Sequence, residues 1–129
     1  MVRFVCVMAA LLSAATIIPG EAATFHRTTQ QGRAVTIATH ASWDTGCAGG
    51  PSPIAIVSPP QHGALSITPA AAKIERIDAG QANCLGHAIT ANAVIYTPAQ
   101  GFRGTDQFSY TSTSMSGKVA MHQATVDVR

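Results

Sequence analysis

Charge is scarce in this sequence. Eight Lys or Arg and six Asp or Glu make up 11% of 129 residues and leave a formal net charge of +2. No basic stripe is present to track a phosphate backbone, and no basic amphipathic helix is present to lie on a bilayer, so neither nucleic acid nor a membrane surface is an expected partner. The motifs of common hydrolases and nucleotide-binding proteins are also missing: Gly-x-Ser-x-Gly, His-Glu-x-x-His and phosphate-cradling glycine loops do not occur. The acids are few and scattered, and the one near pair, Glu75 and Asp78, sits beside Lys73 and Arg76 as a solvated segment does. No catalytic residues and no cofactor are expected. Helical patterning is thin as well. Its one candidate, Pro69–Lys73, is short and runs into Ile74-Glu75-Arg76-Ile77, where apolar and charged residues interleave, so the reading there is a turn followed by a strand.

Long apolar runs are confined to the first residues. Arg3 supplies a positive charge, residues 4–18 are apolar or small, Pro19-Gly20 breaks any helix, and Ala22 and Ala23 follow. That order is a secretory signal peptide over residues 1–22, with Gly20 and Ala22 as the small residues three and one before the cut. The run is short of the roughly 20 apolar residues a membrane span needs, so no span is expected once the leader is gone. Cys6 lies inside the run and is discarded with it. A periplasmic or secreted chain starting at Ala23 keeps Cys47 and Cys84, and an even pair in an oxidising compartment forms a disulfide.

Strand signals recur along the rest. Val35-Thr36-Ile37, Leu65-Ser66-Ile67 and Phe108-Ser109-Tyr110 alternate with period two; Ile54–Val57 and Val94–Thr97 are short runs ended by prolines. Val119-Ala120-Met121 carries one phase of a final strand, and Ala124, Val126 and Val128 the other. The slip near His122-Gln123 reads as a β-bulge that buries Met121 and exposes His122. Residues 23–33 are a polar arm or an edge strand, and Cys47-Ala48-Gly49-Gly50-Pro51 reads as a flexible loop. About seven or eight short strands at this spacing, over residues 34–129, make an all-β domain, a sandwich or a small barrel.

The second half carries a more specific pattern. Pro60-Gln61-His62-Gly63-Ala64-Leu65, the stretch from Tyr96 to Tyr110 with Pro98, Gly101, Phe102, Gly104, Asp106 and Phe108, and Ala124–Val128 resemble the turn, corner and closing strand of bacterial immunoglobulin-like and cadherin-like repeats. The resemblance implies an immunoglobulin-like β-sandwich in which all eight signature residues are structural. Asp106 would accept backbone N–H bonds, Phe102 would plug the core under the corner, and Tyr110 would bond nearby backbone as a corner tyrosine. Such repeats occur in tandem arrays and many bind calcium through acidic clusters. This chain has one copy, and Asp44 is the only acid between His40 and Ser58, too few for a calcium cage.

Other constellations are weaker. His40, Cys47, Cys84 and His87 would suit zinc or copper if the cysteines were thiolates, but their spacing is that of neither a finger nor a ribbon. A Cys84 nucleophile served by His87 needs a free thiol, which export disfavours. Arg103-Gly104-Thr105-Asp106 has one residue too many for an Arg-Gly-Asp tripeptide. Trp43, the sole tryptophan, either packs on the disulfide or stands as a ligand platform, with packing preferred. The sequence therefore points to a non-enzymatic module binding a protein or glycan at the cell envelope, with a small periplasmic metal-handling protein as the alternative.

Overall fold

Period-two alternation needs a second apolar surface to cover it, and here two sheets supply one another's. The computed structural model describes residues 23–75 and 82–129; the expected leader lies outside them, as do Arg76, Ile77 and Asp78. Among the described residues eight strands, in line with the number the sequence suggests, are joined by turns and one short 3-10 turn at Ala82–Cys84: β1 Thr24–Thr29, β2 Val35–Trp43, β3 Gly49–Pro51, β4 Ile54–Ser58, β5 Gly63–Lys73, β6 Ala88–Pro98, β7 Gly104–Thr113 and β8 Val119–Val128. One sheet has the order β1-β8-β7-β4 and the other β3-β2-β6-β5. The core between them is Ile37, Val94 and Tyr96 from one sheet and Phe108, Tyr110, Ala124, Val126 and Val128 from the other, with Phe102 packed against it. Among the described residues no helix is long and apolar enough to cross a membrane.

Four local readings change. Gly49–Pro51 is a short strand paired with Ala41–Trp43, and no plain loop. Pro69–Lys73 is no turn: β5 runs straight through it in register with β6, Pro69 opposite Asn92. Proline lacks an N–H, so it is accommodated because β5 is an edge strand. β8 has no bulge; its pairing with β7 is continuous from Val119 to Val128. The irregularities lie instead in β2, between Thr36 and Ala38, and in β4, between Ile56 and Ser58. Finally, the tyrosine that ties down the corner is Tyr96; the Tyr110 hydroxyl bonds the side chain of His40, not the backbone.

The corner explains the signature. Asp106 is 3% exposed and accepts four hydrogen bonds: the backbone N–H of Gln61 at 3.1 Å, of His62 at 2.9 Å and of Gln107 at 3.0 Å, and the Tyr96 hydroxyl at 2.8 Å. Burial alone would raise the Asp106 pKa, but these donors outweigh it and hold the carboxyl below its ordinary value. Burial, with the same carboxylate beside it, pushes the Tyr96 phenol upward. A Cβ on Gly63 would lie 2.5 Å from the Tyr96 ring, so only glycine lets the β5 start pass over it. Gly101 takes φ +81°, which turns the chain so that Phe102 stacks on His62 at 4.3 Å between centroids.

At the other end of β2, Cys47 and Cys84 are joined, tying the β2–β3 turn to the 3-10 turn before β6 across a separation of 37 residues. Reduction of this bond is expected to cost about 4 kcal/mol in the chain-entropy account, read as a lowered urea midpoint. Asp106→Ala, which strands four donors, should cost about 3–5 kcal/mol, and Tyr96→Phe, which removes one, about 1.5–3 kcal/mol. Equal losses for the two variants would contradict a hub centred on the carboxylate.

Candidate functional site

The bulge in β2 sets the site. Before it, Val35 and Ile37 point inward; the extra residue shifts the phase, so that Ala38, His40 and Ser42 turn inward after it. β8 meets them with a single unbroken phase: Ala120, His122, Ala124, Val126 and Val128 are all buried, while Val119 and Met121 are 61% and 45% exposed. The expected burial of Met121 and exposure of His122 are therefore reversed.

His40 and His122 meet across the sandwich, their ring centroids 4.6 Å apart. Tyr110 and Phe25 complete an aromatic box: the Tyr110 ring is 5.4 Å from His40 and 5.1 Å from His122, and the Phe25 ring 6.1 and 5.8 Å. His40 Nε2 shares a 2.7 Å hydrogen bond with the Tyr110 hydroxyl, and His122 Nε2 one of 2.7 Å with Ser112 Oγ. Burial pushes the His122 pKa below its ordinary value and raises that of Tyr110, so both rings are neutral near pH 7.

Above this box lies a cleft of about 490 Å³. Phe25 of β1, Ser112 of β7 and Ala120 and His122 of β8 form one wall, residues 38–43 of β2 the other. Ser114, Ser116 and Lys118 of the β7–β8 turn line it too, as does Ser52. Met115 N–H donates to Ser42 Oγ at 3.0 Å, which fastens that turn to β2. Trp43 is half-buried in the cleft wall. Its indole N–H and His122 Nδ1 are the buried side-chain polar atoms without a hydrogen-bond partner among the described residues.

Ser112 beside His122 has the distance of a nucleophile and its base. A working pair needs a third group to orient the imidazole, and a base poised near neutral pH. Among the described residues His122 Nδ1 has no such partner, and burial weakens the ring as a base.

The sequence-based metal set does not gather. Cys47 and Cys84 are bonded to each other, His40 belongs to the aromatic box, and His87 is exposed, its N–H donating to the Cys84 carbonyl. Among the described residues no three His, Cys, Asp or Glu side chains are placed to hold a metal ion. Of the signature residues, seven belong to the β6–β7 strands and corner at the far end, and Tyr110 alone reaches the aromatic box beneath the cleft. Phe25, Ser112 and His122 were missed. The signal for His122 was present: the phase of Ala124, Val126 and Val128, extended backward, passes through it.

The buried neutral imidazole sets a pH dependence. A folded pKa below the unfolded value of about 6.5 means the unfolded chain takes up the proton first as pH falls. The stabilisation is complete above about pH 6.5 and is lost below it, with a slope of at most about 1.4 kcal/mol per pH unit for one proton. Asp106 and Asp127, whose pKa values are lowered, act only below about pH 4. Denaturant melts from pH 7 to 5 should show the decline, and His122→Gln should flatten it.

No curated protein matches the chain. The family model for the bacterial Ig domain does match, over residues 14–129, taking in all eight strands, the Asp106 corner and the cleft. The chain belongs to the bacterial Ig domain family.

Proposed function

We propose that this chain is an exported, non-enzymatic immunoglobulin-like module that binds a glycan at the bacterial cell envelope, in the cleft between β1, β8 and β2. One observation carries the reading: Trp43 Nε1 and His122 Nδ1, both buried without partners among the described residues, belong to residues that line this same cleft. A buried polar group left unpaired costs roughly 1–3 kcal/mol, which a ligand supplying its partner returns. An indole beside serine and threonine hydroxyls suits a sugar, whose C–H face packs on the ring while its hydroxyls bond the walls. The cleft is concave and of small-ligand size, whereas a protein partner of ordinary affinity needs a broad face of about 800 Å² per side. The leader read over residues 1–22 and the Cys47–Cys84 bond support export to the periplasm or beyond.

Because Trp43 is the only tryptophan, its fluorescence reports the cleft directly. Titration with soluble peptidoglycan fragments and capsular-type oligosaccharides should shift its emission saturably for at least one of them, at micromolar to millimolar affinity. Calorimetry should agree, and Trp43→Ala should abolish the heat. A flat response across that panel by both methods would refute the reading.

A further inference from the structure

Among the described residues the two sheets end in four edge strands, and three of these are guarded. β3 is only three residues long, and β4 is broken by its irregularity between Ile56 and Ser58. Along β1, the Ala23 and Thr29 carbonyls accept the Gln123 and Arg129 N–H groups, so odd-numbered residues face β8 and His26 faces outward. The Arg27 guanidinium donates to that outward His26 carbonyl at 2.9 Å and covers it. β5 is different. At eleven residues it is the longest of the four edges, and its register on β6 is unbroken from Gly63 to Lys73. Just beyond its ends, Ala99 N–H donates to the His62 carbonyl at 2.7 Å and Ile74 N–H to the His87 carbonyl at 2.9 Å. Even-numbered residues therefore bond β6, and the odd-numbered ones, from Gly63 to Lys73, aim their N–H and C=O outward. Pro69 falls in the outward set, so its missing N–H takes nothing from the β6 ladder. Among the described residues no backbone group bonds this outward row, and Ser66 to Pro69 are exposed.

We infer that β5 pairs with β5 of a second copy of this chain, antiparallel about a two-fold axis at Thr68, joining their four-stranded sheets into one continuous sheet. The strand is complementary to its own reverse in that register. Gly63 meets Lys73, Leu65 meets Ala71 and Ile67 meets Pro69, so each outward row faces the other. The bond that would need a Pro69 N–H is the one each copy forgoes; the Pro69 carbonyl still accepts the Ile67 N–H. Lys73 is the strand's only charge, and it lies opposite a glycine, so the two ammonium groups stand a whole strand apart. Ile67, 37% exposed, gains Pro69 as an apolar neighbour. Thr68 faces Thr68 on the axis, a favourable cross-strand pair. This match of β5 with itself is what selects a second copy over an unrelated peptide. A dimer carries two clefts, so a repeating polymer can engage both and gain avidity without a new contact. The pairing itself does not depend on the glycan reading.

The test uses protein exported and processed by a bacterial host, its first residue read by intact mass. Sedimentation velocity at rising concentration should show a monomer–dimer equilibrium with a Kd of roughly 0.01 to 1 mM, the weak end that suits a small interface. Ala71→Pro removes an outward N–H and leaves the β6 ladder whole, so it should weaken the dimer about tenfold or more with an unchanged circular dichroism spectrum. Thr68→Lys sets two ammonium groups face to face on the axis and should do the same, with part of the loss recovered at high salt. Thr28→Lys, on the covered β1 edge, should change nothing. Thr68→Cys reads the register, because facing residues of a non-hydrogen-bonded pair lie close enough for a disulfide. Mild oxidation should link two copies through position 68, mapped by peptide mass, whereas Ser66→Cys, whose opposite is Ala70, should link far more slowly. A monomer at every concentration up to about 1 mM overturns the inference. So does a dimer that persists in both Ala71→Pro and Thr68→Lys. Either result leaves the cleft reading standing.

Discussion

The carboxylate of Asp106 is the constraint on which the far end of the fold depends. It is a charge taken almost completely out of water, which is tolerable only because four donors reach it. Two of those donors come from the turn before β5, one from β7 itself and one from the core face of β6. A single anion therefore fixes three strands drawn from both sheets. Were it lost, Tyr96 would be left with a buried hydroxyl, and the Gln61 and His62 amides would need water at a place the stacked Phe102 and His62 rings help to close. The corner is rigid because its polar groups are satisfied.

The cleft end is built on the opposite principle. Two of its buried polar atoms lack partners among the described residues, hydroxyl side chains line its walls, and the His40 and His122 rings form its floor. One domain thus holds a saturated polar network at one end and an unsaturated one at the other. The difference traces to two backbone features. The bulge in β2 swings His40 inward, and the parallel pairing of β1 along β8 brings Phe25 beside His122. Without that bulge, the residues facing His122 would be the alternate set beginning at Thr39.

Much of this could be read from residues alone. The sandwich class followed from alternation and turn spacing, and the corner's roles for Asp106 and Phe102 followed from a pattern whose residue types are narrowly constrained. Which tyrosine serves the corner did not follow, because Tyr96 and Tyr110 both lie on inward phases and only the three-dimensional path decides which hydroxyl meets Asp106. The cleft was illegible for a physical reason. Ranking side chains by hydrophobicity put Met121 inside and His122 outside, but phase along a strand outranks the hydrophobicity of one residue, and a ring bonded to Ser112 and packed among aromatics is at home in a core. The bulge in β2 left no mark either, since threonine and alanine occur in both phases between Val35 and Ala41.

β1 and β8 are the first and last of the eight strands, and the cleft has a wall from each. Their partnership closes a chain interval that spans nearly the whole domain, the slowest kind of contact to make. During synthesis, β2 to β7 could pair while β1 still waited, and the cleft could not exist until β8 had emerged to receive it. The cleft is thereby reserved for finished molecules: a chain cut short anywhere before β8 could assemble much of its sheet structure and still lack one of the cleft's walls.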